Sequence, residues 1–291
     1  MTHRLNRQAS SATGEPSRHL PPRLAVCADP PQDPNLHQAA AQQARELGLP
    51  LLDDPAIPRD AQVLLAVTPH RLELRVVAGD PLMTQGRPVA TDLRRVDTTS
   101  PLGKSLRQPL LRAIGLRKGD PARPRVVDAT AGYGEDAWLL AAMGCPVLAI
   151  ERHALIAAML RDAVRRAAHD QPQAAARLTV ITADSTALLR QLAQPDAPLP
   201  PELAAFRQPP VVYLDPMFPP GRKTAQRKPM RLLHWLIGED ADAADLLDAA
   251  LAAAQRRVVV KRPRHAPPLA GRSPTATHQG HSVRYDVYAT A

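Results

Sequence analysis

Asp215 and Phe218 stand three residues apart in the run Val211-Val212-Tyr213-Leu214-Asp215-Pro216-Met217-Phe218-Pro219, and the pair could hold a planar base. The carboxylate accepts from an exocyclic amine, while the aromatic face lets the heterocycle stack. Pro216 and Pro219 each fix their own φ and restrict the residue before them, which predicts a stiff turn with acceptor and ring a few ångströms apart. The apolar run ahead of them reads as a buried strand. Its last side chain arrives at the carboxyl edge of a parallel sheet, where open α/β folds keep their sites. A plain Pro-rich turn with Phe218 in the core accounts for the same residues.

A second segment adds a ligand-binding pattern. Residues 125–140, RVVDATAGYGEDAWLL, read as strand, glycine turn and helix, with Asp128 closing the strand and Gly132 and Gly134 in the turn. Glycine lets the backbone turn tightly and approach a ligand closely. Gly144 marks the end of the helix, and Pro146–Ile150 forms the next apolar strand. Glu151 sits at its tip, within twenty residues of Gly134. An acid there accepts from ribose hydroxyls, so the ligand is expected to contain a nucleoside.

Gly132, Gly134 and Ala137 formally satisfy the dinucleotide fingerprint, but charge argues for another ligand. A pyrophosphate needs the bare, positive start of a helix. Here Glu135 and Asp136 occupy that start, which suits the helix dipole and repels a diphosphate. S-adenosylmethionine carries a sulfonium and an ammonium against one carboxylate and fits an acid-rich pocket. Plain stabilisation of the helix N-terminus explains either acid singly; Asp128, Gly132, Gly134, Glu151 and Asp215 in combination point to the cofactor.

The elements that must position these residues follow an alternating pattern. From about residue 121, strands are expected near 125–128, 147–150, 178–182, 211–214 and 257–261, with a final pair near 274–278 and 283–289. Alternation with helices predicts a doubly wound parallel α/β sheet over 121–291. Residues 1–22 read as a disordered polar tail. Residues 23–120 read as a small α/β appendage: a strand at 23–28, a helix at about 36–47 and a hairpin at 63–77 turning on Thr68–Arg71. Basic residues from Lys104 to Lys118 recur at roughly helical spacing, giving either a solvated face or an RNA-facing helix. Residues 193–210 read as a Pro-rich loop, and a helix is expected over 240–254.

Composition narrows the function further. The 291 residues are 44% apolar but 3% aromatic, so the core must rest on Leu, Val, Ile and Ala. A formal net charge of +9 fits a polyanionic partner such as RNA. Arg222, Lys223, Arg227, Lys228 and Arg231 follow the Asp215 turn, and Arg256, Arg257, Lys261, Arg262 and Arg264 surround the fifth strand. Both clusters are expected at the carboxyl edge, neutralising phosphates. Cys27 and Cys145 read as reduced thiols, and His153, His169 and His234 lack partners at metal spacing, so no metal is expected. No apolar run spans a bilayer and the N-terminus lacks a secretory h-region, which predicts a soluble, cytoplasmic protein without membrane contact.

The blocks VVDATAGYGEDAWLLAAMGCPVLAIER, ADSTALL, VVYLDPMFP, RRVVVKRPRHAPPLA and HSVRYDVYA resemble the ribosomal RNA small subunit methyltransferase J family across roughly the last 170 residues. LDPMFP followed by VVVKRP is the specific part. The resemblance implies a class I methyltransferase sheet, mostly parallel with an antiparallel last strand, that transfers a methyl group from S-adenosylmethionine to the exocyclic amine of a guanosine in small-subunit ribosomal RNA. It assigns cofactor contacts to Glu135 and Asp136, Glu151 and Arg152, Asp184 and Ser185, and Asp215. Relatives often have Arg-Asp and Ser-Ser where this chain has Glu135-Asp136 and Asp184-Ser185, and both departures add negative charge. Asp215 or the backbone carbonyl of Pro216 would accept from the target amine while Phe218 stacks on the base. Alternatives are an amine methyltransferase for DNA, another RNA or a small molecule, or a non-catalytic RNA-binding protein of the same fold. The basic clusters disfavour the small molecule, and the intact acids disfavour loss of catalysis.

Overall fold

Short Val- and Leu-rich runs assemble into two sheets in the computed structural model, which describes residues 22–53, 60–217, 227–238 and 242–290. The first sheet comes from β1 (Leu24–Ala28), β2 (Leu51–Leu52), β3 (Val63–Val67) and β4 (Leu72–Val76), with α1 (Pro34–Leu47) between β1 and β2. Its order is β2-β1-β3-β4, with β1 parallel to β2 and β3. β3 and β4 form the expected hairpin, closed where the Thr68 hydroxyl donates to the Arg71 carbonyl at 2.8 Å. α1 begins earlier than its apolar pattern indicates. Pro34 occupies the first turn and Asp33 accepts from the amides of Asn35 and Leu36, which is the chemistry of a helix start.

After α2 (Pro81–Thr84) and α3 (Pro109–Ile114) the chain alternates as expected: β5 (Val126–Asp128), α4 (Glu135–Ala142), β6 (Val147–Glu151), α5 (Ala154–Ala167), α6 (Pro172–Ala175), β7 (Leu178–Thr182), α7 (Ser185–Ala193), α8 (Pro201–Ala204), β8 (Val211–Leu214), α9 (Lys228–Ile237), α10 (Ala243–Ala253), β9 (Arg257–Pro263), β10 (Ala276–Gln279) and β11 (Val283–Ala289). The second sheet has the order β10-β11-β9-β8-β5-β6-β7. β5 to β9 run parallel, and β11 is inserted antiparallel between β9 and β10. The reversal of strand order between β5 and β8 creates the crevice at the carboxyl edge where ligands bind in such sheets. Apolar layers cover both faces, one including Trp138, Leu140 and Val287, the other Leu189, Phe206 and Leu247.

Two readings of the sequence change. The basic helix anticipated between Lys104 and Lys118 is only the six residues of α3. Pro109 opens it and Gly115 closes it, and its Leu110, Leu111, Ala113 and Ile114 are buried in the same layer as Trp138. Apolar packing is therefore continuous across residue 120. Lys104, Arg107, Arg112, Arg117 and Lys118 remain exposed. The Pro-rich stretch 193–210 is also not all loop, since it contains α8. The polar tail, apart from Pro22, lies outside the described residues, as do Phe218, Arg222 and Lys223. Cys27 and Cys145 are buried, unpaired and in separate clusters, and burial pushes both thiols up to about 11. Among the described residues no helix is long and apolar enough to cross a membrane.

The two sheets meet through α5 and α9. Leu155, Ile156 and Met159 of α5 and Leu232, Leu233 and Leu236 of α9 pack with Val26, Leu65 and Leu74. A polar clamp reinforces this contact. Asp162 of α5 is buried and accepts from the Leu72 amide of β4 at 3.1 Å, from Arg166 at 2.8 Å and from Arg165 at 2.6 Å. Asp162→Ala would strand the Leu72 amide and leave the nearly buried Arg166 guanidinium with only the Thr91 carbonyl and a longer pairing to Asp92 at 3.8 Å. We expect a loss of roughly 2–4 kcal/mol, between the values for an orphaned hydrogen-bond partner and a broken buried ion pair. Urea unfolding of the variant measures it, and an unchanged midpoint would mean the clamp does not join the sheets.

Candidate active site

Parallel strands that end at one edge deliver their terminal side chains to one place. β5 ends in Asp128, β6 ends in Glu151, and Asp215 follows β8. All three line a single cavity of about 590 Å³, together with Gly132, Gly134, Glu135, Asp136, Arg152, Asp184 and Ser185. Pro216 is buried and does not line it. Met217, half-buried, does line it and packs against the cluster that joins the sheets. Val89 to Asp92 and Arg95, from the segment after the first sheet, form part of the wall.

The glycine turn is built for close approach. Gly132 and Gly134 have φ of 52° and 77°, the left-handed region that side chains disfavour. A Cβ on Gly134 would also lie 2.3 Å from Leu160 of α5. Buried Glu151 braces the turn as well as facing the cavity: Oε2 accepts from the Gly132 amide at 2.9 Å and Oε1 from the His153 amide at 2.7 Å. Glu135 and Asp136 open α4, as expected. Asp184 caps α7 by accepting from the Ala187 amide at 2.7 Å, and the Ser185 hydroxyl donates to the Ala129 carbonyl at 2.6 Å. Arg152 is ion-paired with Asp242 at 3.2 Å.

Asp215 is held from two sides. Its amide donates to Thr130 Oγ1 at 2.6 Å, and its Oδ2 lies 3.0 Å from Lys261 Nζ. The same ammonium is 2.8 Å from Asp136 Oδ2, which also accepts from the Tyr213 hydroxyl at 2.6 Å. Sequence reasoning placed Lys261 among phosphate-binding cations and did not assign Thr130 or Tyr213. The available signal was position: Lys261 follows Val258-Val259-Val260 near the end of β9, as Asp215 follows β8.

Of the cations expected around β9, Lys261 lines the cavity and the four arginines do not. Arg256 and Arg257 lie at the amino end of β9, opposite the cavity, because a parallel strand puts its first and last residues on different edges. There the Arg257 guanidinium donates to the Ala113 carbonyl at 3.1 Å. Arg262 is buried and bonded to the Pro267 carbonyl, and Arg264 donates to His281. Near the cavity, Lys228 donates to the Gln85 carbonyl, Arg231 pairs with Asp80, and exposed Arg227 lines the rim.

Electrostatics favour a cationic guest. Among the described residues the lining carries eight acids, adding Asp92 and Asp242 to those above, against Arg95, Arg152, Arg227 and Lys261. Burial, opposed by the Thr130 amide and reinforced by Asp136 and Asp215, pushes the Asp128 carboxyl from 3.8 up to about 8. The Lys261 ammonium is lowered by burial but raised more by Asp215 and Asp136, which places it above the ordinary lysine range. Folded Asp128 binds its proton more tightly than the unfolded chain does, so its stabilising contribution is complete at low pH. It declines as pH rises from about 4 to about 8. Asp128→Asn has no proton to lose. The urea midpoint of the parent should therefore fall relative to this variant between about pH 5 and about pH 8, and parallel profiles would contradict the shift.

Comparison with known proteins shows the family. The SAM-dependent methyltransferase family model matches residues 52–290. A ribosomal RNA small subunit methyltransferase J from Thioalkalivibrio sulfidiphilus is 41% identical over 265 residues, covering 88% of this chain and 94% of the relative. A protein of the same name from Pseudomonas aeruginosa is 39% identical over 280 residues, covering 94% and 95%. The crystal structure of a SAM-dependent methyltransferase from Neisseria gonorrhoeae superposes with a TM-score of 0.63 at 28% identity, covering 91% of this chain and 96% of that one. The chain belongs to the S-adenosylmethionine-dependent methyltransferase family whose curated members carry the name ribosomal RNA small subunit methyltransferase J.

Proposed function

We propose that this protein methylates the exocyclic amine of a specific guanosine in small-subunit ribosomal RNA, acting in the cytoplasm on the RNA or the ribosomal subunit. The observation that carries the reading is Asp215, its backbone amide bonded to Thr130 and its carboxylate paired with Lys261, in the same cavity as the glycine turn. The names of the curated relatives supply the RNA class.

The cavity fits the cofactor. Its acidic lining complements a sulfonium and an ammonium, the positive-φ glycines open the backbone, and Glu151 keeps acceptor capacity for ribose hydroxyls after bonding two amides. Asp128, Gly132, Gly134, Glu135, Asp136, Glu151, Arg152, Asp184, Ser185 and Asp215 would surround it. S-adenosylmethionine supplies an electrophilic methyl group, and the acceptor nitrogen gives up a proton as it gains that group.

The protein's share is positioning, because the guanine amine is a weak nucleophile whose lone pair is delocalised into the ring. Holding it in line contributes much of the rate. Asp215, facing the cavity, accepts from the amine and localises the lone pair. Pro216, buried behind it, stiffens the turn. Phe218 would stack on the unstacked base. Exposed Lys104, Arg107, Arg112, Arg117 and Lys118, with Arg227 at the rim, supply positive surface for the phosphate backbone.

Mass mapping of small-subunit RNA from a strain lacking the gene tests this. One guanosine should lose the mass of one methylene and regain it when the parent gene returns. Asp215→Ala should restore methylation more slowly by at least about tenfold, since positioning and a cofactor contact are both lost. An unchanged RNA mass in the deletion strain would refute the assignment.

A further inference from the structure

We propose that Lys261 is a positioning residue of the active site, an internal counter-ion that keeps the carboxylates of Asp136 and Asp215 in place and preserves Asp215 as a hydrogen-bond acceptor. The proposal deepens the reading above and rests on it. It removes Lys261 from the RNA-binding surface.

The geometry gives the ammonium two partners on different elements. Nζ lies 2.8 Å from Asp136 Oδ2 on α4 and 3.0 Å from Asp215 Oδ2 after β8. Lys261 itself comes from β9, so a single side chain ties together three elements around the cavity. Only 24% of its side chain is exposed, against 38% for Asp215, which is poor presentation for a phosphate and good presentation for an internal counter-charge. An ammonium has three donors; one goes to Asp136, and Asp215 lies within ion-pair distance of the same nitrogen.

The surroundings show why the charge matters. Asp215 is faced by Lys261 of β9, Asp136 of α4, Asp128 of β5, Tyr285 of β11 and Tyr213 of its own strand. Arg227 lines the same cavity. Asp136 and Asp215 repel each other in a partly water-excluded space, and Asp128 beside them holds its proton more tightly because of both. Like carboxylates at short range cannot all ionise without a cation among them. With Lys261 removed, protonation becomes easier, and a protonated Asp215 would carry a donor where the target amine needs an acceptor. Tyr213 donates to the same Asp136 oxygen that Lys261 contacts, so phenol and ammonium fix that carboxylate together.

The test compares Lys261→Met, Lys261→Gln and Lys261→Arg with the parent. Single-turnover methylation of small-subunit RNA is followed with both substrates saturating, across about pH 5.5–9. Calorimetric binding of S-adenosylmethionine is measured over the same range. Neutral-pH rates of the Met and Gln variants should fall about tenfold or more, with the acid limb displaced upward by about one pH unit or more and activity recovering in alkali. Their cofactor affinity should weaken as pH falls, while Lys261→Arg keeps the parent's profile. Lys261→Gln retains hydrogen bonding without charge and carries the test if Lys261→Met does not fold. A uniform drop at every pH, or an unchanged profile, would overturn the proposal. If the parent itself methylates no RNA, the functional reading fails separately, and the pH dependence of cofactor binding still decides the role of Lys261.

Discussion

Like charges held a few ångströms apart are the constraint around which this site is organised. The strands that end at one sheet edge bring Asp128, Glu151 and Asp215 together, and α4 adds Glu135 and Asp136. Each acid needs a compensating interaction. Glu151 finds two backbone amides, Asp136 a phenol and an ammonium, Asp215 the same ammonium, and Asp128 a raised affinity for its proton. Compensation is partial by design of the lining, which keeps more acids than cations. A guest with two positive groups and one negative group completes the balance.

The N-terminal sheet has a place in this arrangement beyond that of an appendage. α9 follows the Asp215 turn, yet its apolar side packs against β1, β3 and β4 through Leu232, Leu233 and Leu236. Lys228 and Arg231 add bonds to Gln85 and Asp80 on the segment after β4. The Tyr133 hydroxyl of the glycine turn donates to the Pro229 carbonyl at 3.1 Å. Glycine turn, α9 and first sheet are thus mechanically joined. The residue 89–95 segment forms cavity wall rather than remote surface.

Legibility in the sequence followed how local each cause was. The strands and the edge at which Asp128, Glu151 and Asp215 appear were readable, because apolar runs, alternation and terminal acids are short-range signals. Helix starts were recoverable from Asp33 and Pro34, though periodicity alone placed α1 late. Charge was the weakest guide. Basic residues near β9 looked like one cluster, but strand direction separates Arg257 at the amino edge from Lys261 in the cavity, and burial removes Arg262. The basic stretch before residue 120 hid buried leucines that join it to the methyltransferase core. These distinctions depend on pairing and packing between distant residues, which spacing does not encode.

The central claim is that this cavity delivers a methyl group to a guanine amine of small-subunit RNA. Incubating the purified protein with S-adenosylmethionine labelled in its methyl group and small subunits from a strain lacking the gene tests it directly. Digestion of the RNA to nucleosides should place the label in N2-methylguanosine. Label in any other nucleoside, or none in the RNA while the protein binds the cofactor, would contradict the account.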